Sequence, residues 1–201
     1  MRKIQVPIYF DYASTLCYIA WRIVSDLERE LEFEALWKGV PIAMRDHRAK
    51  PGRIVTDRER QKVLMVAAET GIQVAMPPAW LDSTAALAGA ELARDSGAFR
   101  AYHDAMFQAA FEERRNIGDH SVLEEIATRA GLDRERFRAD IRSGVAIPRL
   151  EANKREADEF SALGYPTFML GDFPMIGIQP IESMRMLLGR FLLKRAGEPQ
   201  A

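Results

Sequence analysis

A single cysteine, Cys17, stands among 201 residues, so no disulfide can close within the chain. Histidine is nearly as scarce. His47, His103 and His120 share no H-x-x-x-H or carboxylate spacing, which leaves no sequence basis for a metal site. No apolar run approaches the roughly 18 residues that a membrane span requires. No sign of charge dominates either: 28 basic against 29 acidic residues leave a net charge of −1, without the basic field that nucleic acid demands. Arginines do gather locally, at Arg53, Arg58 and Arg60 and at Arg134, Arg136 and Arg138. They alternate there with Asp and Glu and read as solvated helix faces. Met1 to Phe10 has no apolar h-region and no small-residue cleavage site, so it reads as a strand and not as a signal peptide. With one thiol, a reducing, cytoplasmic setting is the simplest expectation.

What is present is ordinary globular material, 48% apolar and 28% charged, enough for a core without disulfides or metals. Ile4, Val6, Ile8 and Phe10 alternate at the period of a strand, and Pro7, lacking a donor, predicts an edge or a bulge beside it. From Leu16 the period changes to helical, through Ala20, Ile23, Val24, Leu27 and Leu31, with Ser14 as N-cap. Glu32 to Lys38 alternates again. Strand, helix, strand opens a parallel α/β unit.

Beyond the Pro- and basic-rich loop from Gly39 to Pro51, only helices are expected for more than 100 residues. Thr56-x-x-Glu59 is a capping box, Pro77-Pro78 a break, Asp82 or Ser83 a cap for Ala85 to Ala93, and Ser121-x-x-Glu124 a cap for the helix to Ala130. A last helix runs from Pro148 to Phe160. Strand character returns at Pro166 to Leu170 and Phe173 to Ile178, and Pro180 opens a closing helix. The fold expected is α/β: residues 1–51 and 161–201 form one sheet domain, and residues 52–160 an inserted all-helical domain packed over the site as a lid.

Two segments can carry chemistry. Ser14-Thr15-Leu16-Cys17 lies at a strand-to-helix turn, where unpaired amides and the positive end of the helix dipole favour an anion such as a thiolate. Cys17, one turn in beside apolar Leu16, is open to two readings, a nucleophile with a pKa lowered by the helix start, the effect weakened by partial burial, or an inert core cysteine. Tyr165-Pro166 opens a strand after a helix, the setting of a candidate cis bond whose preceding backbone can pair with an extended peptide. Trp37 and the nine methionines fit core positions, and His103 a surface or packing position.

Together these segments make the resemblance specific. Asp11-Tyr12-Ala13-Ser14-Thr15-Leu16-Cys17-Tyr18 resembles the D-x-x-C-P-W-C-Y segment of the DsbA family, in its FrnE-like branch. Leu163 to Phe168 is similar to the G-V-P-T-F segment with its cis-proline, and Gly177-Ile178-Gln179-Pro180 to the G-A-Q-P before the last helix. Asp82-Ser83 with Ala86 resembles an N-T-x-x-A helix start. The resemblance spans essentially the whole chain and implies a thioredoxin fold with a large helical insertion. It also implies catalytic roles for Ser14 and Cys17, and small-thiol or substrate binding at Tyr165, Pro166, Asp82 and Gln179.

Ser14 stands where family oxidoreductases place the attacking cysteine, so the dithiol cycle through a mixed disulfide is excluded by residue count. Kappa-class glutathione transferases and 2-hydroxychromene-2-carboxylate isomerases are similar in carrying serine there, as D-x-x-S-P-Y-S. In them the resemblance implies glutathione as the thiol cofactor and the serine hydroxyl as donor to its thiolate. The chain therefore reads as an atypical, monothiol oxidoreductase-like protein acting with glutathione or another small thiol. A glutathione-dependent isomerase or transferase is the alternative, and an inactive peptide-binding module the other. The partner expected is a small-molecule thiol or disulfide, not nucleic acid or membrane, with a homodimer left open.

Overall fold

The computed structural model describes residues 3–46, 49–162 and 164–197, which leaves His47 and Leu163 outside the described residues. Strand β1 (Gln5–Phe10) runs into helix α1 (Thr15–Leu31), which is followed by strand β2 (Glu34–Gly39). Six helices come next: α2 (Asp57–Thr70), α3 (Thr84–Asp95), α4 (Phe99–Phe111), α5 (His120–Arg129), α6 (Arg134–Ser143) and α7 (Ile147–Glu159). Strands β3 (Thr167–Leu170) and β4 (Phe173–Ile176) and helix α8 (Ile181–Ala196) complete the order. The sheet order is β2-β1-β3-β4, with β1 parallel to β2 and β3 antiparallel to both of its neighbours. It is therefore a mixed sheet, with both chain ends contributing and the helices entering between them.

β1 is an interior strand, contrary to the edge that Pro7 predicts. The physical demand is met another way. The carbonyls of Ile4 and Phe10 accept amides from the β2 side, so Pro7, in alternation, turns its donorless nitrogen toward β3. Pairing with β3 covers only Ile8 and Tyr9 and stops before Pro7.

Period-2 alternation sorts the strand residues onto two faces. Val6, Ile8 and Phe10 join the main core with Cys17, Ile23, Leu27, Phe107 and Leu188. Tyr9 and Met169 point the other way, against Ala157 of α7 and Ala162. α7 is tied to that face by Lys38–Glu156, 2.6 Å, and by Asn153 donating to the Gly39 carbonyl.

Some helices begin as their caps predict, but Ser83 at the N-cap of α3 makes no side-chain cap bond and α7 starts one residue before Pro148. Thr56 and Glu59 form the capping box reciprocally. For α5, however, Asp119 is the cap: its carboxylate accepts the Ser121 amide at 2.8 Å, and Ser121 lies inside the helix. An Asp two residues earlier on a loop supplies the stronger acceptor. The 52–160 span is also not purely helical, because Ile54 and Ala79 form one isolated antiparallel bridge. Amides of Val55 and Trp80 reach across it to the carbonyls of Pro78 and Arg53, and the clamp fixes where α2 starts.

Candidate active site

β1 ends at Phe10, and four residues carry the chain into α1. The turn is organised by Asp11, which is fully buried. Its carboxylate accepts the Ala13 amide at 2.8 Å and the Ile42 amide at 2.5 Å. It thereby joins the start of α1 to the loop after β2. Burial pushes its pKa up, and the amide donors pull against that rise.

Ser14 is the N-cap, in extended backbone conformation, its Oγ accepting the Cys17 amide at 3.3 Å. A hydroxyl that accepts in the cap still has its proton to give. The Thr15 and Leu16 amides belong to the first helical turn, where no intrahelical acceptor exists. Anion-favouring groups thus converge on Ser14. Cys17, one turn on, is fully buried, and burial pushes its thiol up to about 12 while the neighbouring Ser14 hydroxyl pulls it down. At neutral pH that sulfur stays protonated and out of reach. The buried reading of Cys17 is the one realised.

The Tyr165–Pro166 peptide is cis, and Tyr165 and Ser14 line one open cavity of about 790 Å³. Its remaining walls come from Ala13 to Leu16 at the start of α1, the short 3₁₀ turn Ile42–Met44 with Arg45 behind it, the clamp around Ala79 and Trp80, and α2. The wall from the inserted span is mostly apolar, with Val55, Val63, Met76 and Trp80, while Glu59 and Lys62 stand on α2 beside them. α2 thus forms one side of this open cavity, with Ala67 its one buried residue.

Arg45 is the best-anchored charge in the cavity, its side chain only 11% exposed. Nη1 donates to the Ala162 carbonyl at 2.5 Å, Nη2 pairs with Asp158 of α7, and the guanidinium lies 5.8 Å from the centre of the Tyr165 ring.

Asp82 and Gln179 are not in the cavity lining. Exposed Asp82 accepts the Thr84 amide at 3.1 Å, helping to start α3, and Gln179 donates to the Ile176 carbonyl at 3.2 Å. Both act locally at helix entries. Sequence reasoning assigned no role to Asp11, Arg45 or Trp80. Asp11 carried a signal, an acid at the end of an otherwise apolar strand, whereas nothing local distinguishes Arg45 from other loop arginines. Among the described residues no group of three or more His, Cys, Asp or Glu side chains is arranged to hold a metal.

Known proteins share this fold. The DSBA-like thioredoxin domain model matches residues 5–189. The uncharacterized protein YwbO of Bacillus subtilis (strain 168) is 25% identical over 178 residues, 84% of this chain and 88% of that protein. A probable DsbA oxidoreductase from Streptomyces coelicolor superposes with a TM-score of 0.77 at 22% identity, over 98% of this chain and 92% of its own. A 2-hydroxychromene-2-carboxylate isomerase gives 0.78 at 22% identity, over 96% and 98%. The cytosolic disulfide reductase DsbM from Pseudomonas aeruginosa, solved with GSH, gives 0.70 at 19% identity, over 94% and 100%. At these identities the structural likenesses speak for the fold alone. That fold is thioredoxin-like, of the DsbA kind with its helical insertion.

Proposed function

The chain belongs to the DSBA-like thioredoxin domain family, and from that premise we propose that it binds a small thiol, glutathione or a close relative, with the thiolate at Ser14. The bound sulfur, and not a protein sulfur, is then the nucleophile. One contrast carries this reading: Ser14 lines the cavity, while Cys17 is fully buried with its thiol pushed up to about 12. A group that must attack a substrate has to be ionised and accessible, and Cys17 is neither.

The residues have separate tasks. Ser14 donates its hydroxyl proton to the thiolate, the first-turn amides of α1 add their partial charge, and the backbone before Pro166 holds the peptide part of the thiol. Tyr165 lines the thiol's seat with buried Pro166 behind it, while Cys17 supports the helix start from inside. Apolar Val55, Val63, Met76 and Trp80 would seat a small apolar electrophile opposite the sulfur.

The family admits thiol oxidoreductases and isomerases. The apolar wall favours a carbon electrophile, as in a glutathione-dependent isomerase or transferase, over a protein disulfide. The solved relatives named for GSH and for chromene-carboxylate isomerisation fit the same reading. A reducing, cytoplasmic compartment, where glutathione is abundant in its thiol form, suits a chain with one sealed cysteine.

Steady-state turnover of glutathione with an electrophile such as 1-chloro-2,4-dinitrobenzene tests this directly. Cys17→Ala should keep most of the wild-type kcat/KM, whereas Ser14→Ala should lose about 100- to 1,000-fold, the scale of one donor to a reacting anion. The opposite ranking would make Cys17 the nucleophile and end the proposal.

A further inference from the structure

Arg45 and Tyr165 meet inside the cavity: Nη1 lies 3.5 Å from the phenol oxygen. A guanidinium has only donors, so the phenol oxygen can serve Arg45 only as an acceptor. The Tyr165 hydroxyl proton is left over, and among the described residues it donates to nothing. Arg45 itself is fixed from behind by the Ala162 carbonyl and Asp158. A phenol held by a fixed cation, its own proton unspent, on the wall of the cavity that also holds Ser14, is a preorganised donor.

We propose that the Tyr165 hydroxyl is a catalytic hydrogen-bond donor to an oxyanion formed on the substrate, with Arg45 the positioning residue that orients it. The inference rests on the thiolate reading above and names the electrophile's class: a carbon conjugated to a carbonyl or nitro oxygen. The thiolate lone pair forms the S–C bond while the conjugated π pair moves onto that oxygen, which accepts the Tyr165 O–H. Return of the pair to carbon breaks the S–C bond and regenerates the thiolate. The cycle consumes no oxidant and no net proton. A disulfide substrate, which develops charge on sulfur and carries no such oxygen, would leave this donor idle.

The probe is 4-nitrophenol, whose phenolate is a stable oxyanion that absorbs near 400 nm. Titrated with and without the full-length protein, its bound pKa should fall by about one unit, a tenfold preference for the phenolate. Tyr165→Phe should remove that preference, Arg45→Met should reduce it, and Arg45→Lys should recover part of it. Circular dichroism and the urea unfolding midpoint confirm that each variant is folded. The probe has no sulfur, so the two readings fail separately. Loss of glutathione binding in the wild type would remove the thiolate reading. A wild-type protein without phenolate preference, or a preference that survives in Tyr165→Phe, would overturn this one.

Discussion

At the residue scale the chain places its titratable groups by burial. His103 is 1% exposed, ringed by Phe10, Trp37, Phe99 and Phe107, with Nδ1 2.9 Å from the Tyr12 hydroxyl and Nε2 without a hydrogen-bond partner among the described residues. Burial holds its pKa well below the ordinary value of 6.5, so it is neutral in the folded protein. A folded pKa below the unfolded one means that stability is fully present above about pH 6.5 and lost as the pH falls below it. The loss should run at up to about 1.4 kcal/mol per pH unit from this group. Urea unfolding between pH 7 and 5 should show that slope, and His103→Gln should flatten it even while lowering stability overall. An unchanged slope in the variant would place the titrating group elsewhere. The sequence offered His103 as a surface or packing residue, and packing is what it does. Its burial is set by five aromatic rings, Tyr12 included, from three separate segments, which no local pattern announces.

At the scale of elements, the site is the junction of one strand end and one helix start. That junction was legible because its signals are local: the change of period at Leu16, the serine cap and the proline at the start of β3. α2 and its capping box were legible too, but Arg45 and the particular α2 residues that face the cavity were not, because they reach it only through the clamp at Ile54 and Ala79 and the tether to α7. Ser14 and Cys17 occupy the N-cap and third helical positions, three residues apart at one helix end. Ser14→Cys therefore puts a thiol where the dipole and free amides favour its thiolate, next to a second thiol able to resolve a mixed disulfide. The variant should gain insulin reductase activity severalfold over a nearly inactive wild type. Ser14→Ala should instead lose the cap, at a cost of about 1 kcal/mol in chemical unfolding. A wild type that reduces insulin as well as Ser14→Cys does would show that position 14 is not where attack occurs.

At the scale of the whole molecule, segments far apart in sequence build one sheet, and the inserted span adds Val55, Val63 and Trp80 to one wall of the cavity. Cys17 sits inside the main core and Ser14 on the cavity wall, so a single turn of α1 separates a buried sulfur from the proposed anion seat. The central claim is that this seat ionises a thiol brought in from solution. Difference absorbance near 240 nm, recorded as glutathione is added at pH 7, reads that ionisation without any assumption about the second substrate. Glutathione free in solution is mostly protonated at this pH, and Cys17 contributes nothing while its thiol stays near 12. The account predicts a saturable thiolate signal of about one equivalent in the wild type and in Cys17→Ala, and its loss in Ser14→Ala. A signal that persists in Ser14→Ala, or that never develops in the wild type, would contradict it.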